Sequence, residues 1–200
     1  MPAVSILIVS FLALAAVLRP AVAQQALVPR PDTLGAAFDA SAIGTATPGD
    51  YDFLIGRWSY RLQFRDPASG AFGPVRQGTW TATRRPDGPF VADEFSATSP
   101  DGPGSQGTIL TYRAFNPARR VWEIQGVGTR RGSWSPGVSW GDGTSRYLVQ
   151  DHPARGLRVR IRYYSITPGR FLWRADGSRD GGRTWLRDVM LIEAVRVREE

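Results

Sequence analysis

The chain has no cysteine, no lysine and a single histidine, His152. Without cysteine there is neither a disulfide framework nor a thiolate metal site, so a domain of this length must be held by its core. A zinc site would need carboxylates at ligand spacing, and none is apparent. A Ser-His-Asp hydrolase would have to recruit His152, which sits before Pro153, and no G-x-S-x-G elbow is present. The glycine-rich stretches at 102–104 and 126–128 do not join a strand to a helix, which excludes a phosphate loop. No helical period is sustained beyond residue 51, and no apolar run of membrane-spanning length follows the N-terminal one. The sequence therefore names no catalytic residue, no metal and no cofactor.

All 25 basic residues are arginine, against 18 acidic ones, for a net charge of +7. Such an excess can attract anionic lipid, polysaccharide or nucleic acid. In residues 157–163, however, Arg158, Arg160 and Arg162 alternate strictly with Leu157, Val159, Ile161 and Tyr163. A one-residue slip would bury three guanidinium groups, so these arginines read as the water-facing side of a strand. No nucleic-acid partner is expected.

Residues 5–18 form an uncharged apolar run, and Ala21-Val22-Ala23 follows as an A-x-A cleavage site. Residues 1–23 thus read as a secretory signal peptide, with retention as an anchor the alternative. The expected location is secreted or periplasmic, with no membrane span after cleavage. Residues 24–50, rich in Ala, Pro, Thr and Gly, read as a flexible linker with at most one helical turn near 34–40. The domain is expected over 51–198.

Within it, period-2 alternation recurs between turn residues. Strands are expected at 57–65, 77–84, 90–97, 108–115, 121–129, 145–150, 157–163, 171–175 and 185–197. About nine to ten strands with short connections predict an all-β, antiparallel up-and-down β-barrel, since closure removes exposed edges. A two-sheet sandwich is the competing architecture. Residues 132–140, with Pro136 and five glycine or serine residues, read as a loop carrying Trp134 and Trp140 at a barrel mouth.

Asp93 shares a strand face with Val91 and Phe95 and is expected to point inward, where Arg113 or Arg174 would pair with it. Asp93 or Glu94 would be a polar anchor, with Trp58, Tyr60, Arg113, Trp122 and Trp173 as candidate ligand-binding wall. The expected partner is a small hydrophobic molecule. Two alternatives remain: an acid/base enzyme using Asp93 or Glu94 with Arg113, and an envelope interaction module using the arginine-rich outer face. Oligomeric state is not legible.

Ser178-Arg179-Asp180-Gly181-Gly182-Arg183-Thr184-Trp185 resembles the Asp-box of sialidase-like propellers. A single copy implies a structural hairpin turn. Asp52-Phe53-Leu54-Ile55-Gly56-Arg57-Trp58 looks like the opening strand of calycin-type barrels, where a G-x-W lies near the closed end. Together with Gly78-Thr79-Trp80, Asp93-Glu94-Phe95, the span 112–122 and the Asp-box hairpin, the order of motifs resembles the DUF1579 group of bacterial lipocalin-like proteins. The resemblance implies a calycin-like barrel and leaves the activity largely unassigned. A related barrel class binds haem through a late-strand histidine, which has no counterpart here.

Overall fold

A computed structural model describes residues 43–97, 107–130 and 132–198. The expected signal peptide and the helical turn near 34–40 lie outside the described residues. Ten strands form one closed antiparallel barrel in simple chain order. They are β1 (Gly56–Phe64), β2 (Arg76–Arg84), β3 (Phe90–Ala97), β4 (Thr108–Asn116), β5 (Val121–Gly128), β6 (Ser133–Gly141), β7 (Arg146–His152), β8 (Leu157–Thr167), β9 (Arg170–Ser178) and β10 (Leu186–Arg196). β1 pairs with β10 from Trp58↔Arg196 to Phe64↔Met190, so the wall has no open seam and the sandwich alternative is excluded.

One strand was not expected. β6 spans the segment read as a loop and pairs with β5 from Trp122↔Ser139 to Gly128↔Ser133. Pro136 is tolerated because β7 pairs with β6 only over Gly137–Gly141, leaving the first half of β6 without a ladder partner on that side. Trp140 is buried within the strand, whereas Trp134 is 61% exposed near the open end.

The expected linker also ends early. Residues 45–50 cap the closed end: Ala46 N–H donates to the Arg120 carbonyl at 3.1 Å, Thr45 Oγ1 to Gly141 O at 2.6 Å, and Trp122 Nε1 to Thr47 O at 2.9 Å. A 3-10 turn, Asp52–Leu54, then leads into β1. Gly56 has φ +115°, and a Cβ there would lie 2.5 Å from the Arg196 guanidinium, so only glycine fits. That guanidinium lies over the Trp58 ring (4.2 Å) and donates to the carbonyls of Phe53 and Ile55 at 2.9 and 2.6 Å. The first and last strands are thereby clamped together at the closed end.

The outer arginines differ from expectation as well. Arg158, Arg160 and Arg162 face outward but are held by the protein. Arg158 pairs with Asp151 at 2.7 Å, and Arg160 pairs with Asp176 at 2.8 Å beneath Trp185. Arg162 lies over Tyr147 and Tyr164. The Arg160 side chain is only 12% exposed. Arg174, weighed as a partner for Asp93, is on this outer face and pairs with Asp188. Asp188 itself makes the β10 bulge, with φ +54° and its N–H donated to Asp176 Oδ1 at 2.9 Å. The Asp-box forms the β9–β10 turn: Asp180 accepts from Arg183 N, Thr184 N and Thr184 Oγ1 at 3.0, 2.9 and 2.6 Å.

Candidate functional site: a cavity above a packed floor

Inward positions alternate along every strand, and what they carry changes with height in the barrel. Toward the closed end they are aromatic. Trp58 and Phe171 meet edge-on at 4.8 Å, Trp80 and Phe171 at 5.5 Å, and Tyr51, entering from the cap, meets Trp122 at 5.2 Å. Toward the open end, β5 presents Gly126 and Gly128, β6 presents Ser133 and Ser135, and β9 presents Ala175 and Gly177. Neighbouring strands place these small residues side by side, Gly126 opposite Ser135 and Gly128 opposite Ser133. Side chains that fill the floor are absent above it, and a cavity of about 770 Å³ results. It reaches solvent where Phe64, Ile109 and Leu186 stand 42%, 47% and 40% exposed.

The cavity has two unlike sides. Leu148, Val159, Ile161, Met190, Ile192 and Leu62 make one of them hydrocarbon. The other carries Thr111, Ser135, Gln150 and His152. Gln150 Nε2 donates to Ser135 O at 2.7 Å, and Ser135 Oγ and His152 Nδ1 are 2.7 Å apart. Burial holds the His152 imidazole below its ordinary pKa, helped by the nearby Arg155 cation and opposed by Asp151. His152 is thus kept neutral and able to accept from Ser135.

Between floor and cavity lies a buried ion pair, Asp93 with Arg113, whose side chains are 0% and 2% exposed. Trp80 Nε1 donates to Asp93 Oδ1 at 2.7 Å, and Arg113 donates to Tyr163 Oη at 3.3 Å while lying over the Tyr51 ring. Tyr51 Oη and Ser139 Oγ are 2.6 Å apart, so the polar atoms beneath the cavity form a connected set. Burial raises both tyrosine pKa values against the opposing pull of the Arg113 charge. Both phenols stay protonated, and the Trp80, Tyr51 and Tyr163 side chains pack against the charged pair.

Of the residues singled out from sequence, Asp93, Arg113 and Trp173 line the cavity. Trp58, Tyr60 and Trp122 point inward but are buried in the floor and wall below it. The Tyr60 ring lies across Gly78 and stacks on Phe95 at 4.4 Å; a Cβ on Gly78 would sit 2.3 Å from the hydroxyl. Glu94 is exposed on the outer wall, near Ser96, as its alternation with Asp93 requires. Trp80, Ser135, Gln150 and the small residues of β5, β6 and β9 belong to the cavity and were not singled out. Their signal was present in the sequence as alternate small residues, Gly126-x-Gly128 and Ser133-x-Ser135.

Among the described residues, no cluster of His, Asp or Glu has the arrangement of a metal site. No protein-family profile matches the chain, and no curated protein matches it. Among solved structures, the S-type phycobiliprotein lyase CPES from Guillardia theta superposes with a TM-score of 0.53 at 12% identity, over 75% of this chain and 92% of that one. A redesigned beta barrel superposes with a TM-score of 0.42 at 13% identity, over 77% of this chain and all of that one. At such identity the first likeness establishes what the strand order already indicates: a closed, lipocalin-like antiparallel barrel.

Proposed function

We propose that this is an exported lipocalin-like barrel that holds a small, largely apolar molecule in its cavity. The observation that carries the reading is the hollow itself: about 770 Å³ bounded by hydrocarbon on one side and a few convergent polar groups on the other. Pockets of roughly 300–1,000 Å³ with that lining suit small organic ligands. The apolar run at 5–18 and the Ala21-Val22-Ala23 site support export, and the motif order supports kinship with the DUF1579 group. Fold likeness to a phycobiliprotein lyase is compatible with a barrel built around a small molecule.

The acid/base reading is less well supported. Glu94 is outside the barrel, and Asp93 is occupied by Trp80 and Arg113. The envelope-module reading loses its free arginines to Asp151, Asp176 and two tyrosine rings. Trp80 and Trp173 line the cavity, so their fluorescence reports on its contents. Titration with a panel of lipids and terpenoids is expected to change that emission saturably. A flat response across the panel would remove the carrier reading.

A further inference from the structure

We infer that the ligand is an amphiphile whose anionic group, a carboxylate or a phosphate, sits at the open rim against Arg65, Arg155 and Arg179. The inference deepens the carrier reading and rests on it. All three arginines line the cavity. They come from the open-end connections that follow β1, β7 and β9. In the barrel order β1-β10-β9-β8-β7 those are successive connections around one side of the mouth.

Charge balance sets them apart from six arginines of the barrel wall. Arg61, Arg113, Arg158, Arg160, Arg170 and Arg174 each face an Asp or Glu. Among the described residues, none of the three rim arginines has a carboxylate within ion-pair distance. Arg179 instead donates to the Arg155 carbonyl at 3.4 Å, which ties the two connections together without neutralising either charge. Arg65 lies over the Phe72 ring, and its Nε is enclosed without a hydrogen-bond partner.

The two carboxylates nearest in sequence are committed to their own turns. Asp66 accepts from the amides of Ala68 and Ser69 at 2.7 and 3.0 Å, which lowers its pKa. Asp180 is held by Thr184, Ser178 and Arg183, which lowers its pKa further. Both keep their charge while turned into their loops. Cations on successive connections of one side of the mouth, without a counter-charge and next to a hydrocarbon wall, fit a ligand that brings its own anion and leaves its chain inside. Guanidinium groups suit both carboxylate and phosphate oxygens, so the class is the anion and not one headgroup.

The test compares laurate, dodecyl phosphate and dodecanol, which share one chain and differ at the head. Binding to the full chain is read by calorimetry and by tryptophan emission. At low salt, at least one anion is expected to bind about tenfold or more tighter than dodecanol, with the advantage shrinking as salt rises. Which of laurate and dodecyl phosphate gains more distinguishes the two headgroups. The double variant Arg155→Ala/Arg179→Ala changes two exposed side chains. It should lose that advantage, with a much smaller change in dodecanol binding. Equal affinity for all three amphiphiles, or an advantage that survives the double variant, overturns the anionic rim while the cavity reading stands. Failure of all three to bind the wild-type chain overturns both.

Discussion

The two halves of the barrel interior are made by the same ten strands and are built to opposite ends. In the closed half, Trp58, Trp122, Tyr163 and Phe171 interlock, and Tyr51 and Leu54 from the cap fill the remaining space. In the open half the inward positions of three strands shrink to Gly, Ser and Ala, and the wall stays intact around a void. The backbone is indifferent to the change, because each strand's hydrogen bonds run to its neighbours and not across the lumen. Stability can therefore be concentrated at one end and space kept at the other. The Asp93–Arg113 pair marks the boundary.

If that division holds, changes to the boundary should be the most costly. Arg113→Leu leaves Asp93 buried without its counter-charge and is expected to lose about 3–5 kcal/mol in urea denaturation. Removing both charges together, with Asp93→Leu added, should recover most of that loss. A double variant as unstable as the single one would show that the pair contributes more than mutual neutralisation.

Filling the void should have the converse effect. Ala175 projects into the cavity from β9. Ala175→Phe is expected to cost about 1 kcal/mol or less, since space already exists for the ring. Ligand affinity in the fluorescence titration should fall by about tenfold or more. A stability loss matching that of Arg113→Leu would show that the open half is packed too tightly to count as a void.

A smaller effect separates the polar side of the cavity from the floor. His152 has a lowered pKa in the fold, so the unfolded chain binds its proton more readily. Stability from neutral His152 is thus complete above the ordinary value of about 6.5 and is lost as pH falls from there toward the lowered one. Thermal melts between pH 8 and pH 5 should show that decline, and His152→Gln should flatten it. An unchanged profile in the variant would assign the decline to other groups. The smallest change is expected at Trp134→Ala, on the outer rim: within about 0.5 kcal/mol despite the loss of an indole.

Alternation made much of the architecture legible. The inward set on β1 and β8 and the outward arginines of β8 follow from period 2 alone. The same parity sends Glu94 outside and Asp93 inside. It also chooses between the candidate partners, because Arg174 alternates with the inward Trp173 and Arg113 lies between Tyr112 and Ala114, both outward. Height along the barrel was not legible. Trp58, Trp122 and Trp173 all face inward, yet only register against neighbouring strands separates floor from cavity wall. β6 escaped notice because a strand that lines a void carries few of the large apolar residues by which strands are recognised, and Pro136 argues against one. The segment that reads as a loop is one of the three strands that make the space.

The pairing of β1 with β10 has a thermodynamic corollary. A ring of ten strands cannot lose one without breaching the container, so whatever occupies the lumen is bound to the whole molecule and not to a part of it. Occupancy at a hundred times the dissociation constant would then lend about 2.7 kcal/mol to every seam alike, including the one farthest from the contacts.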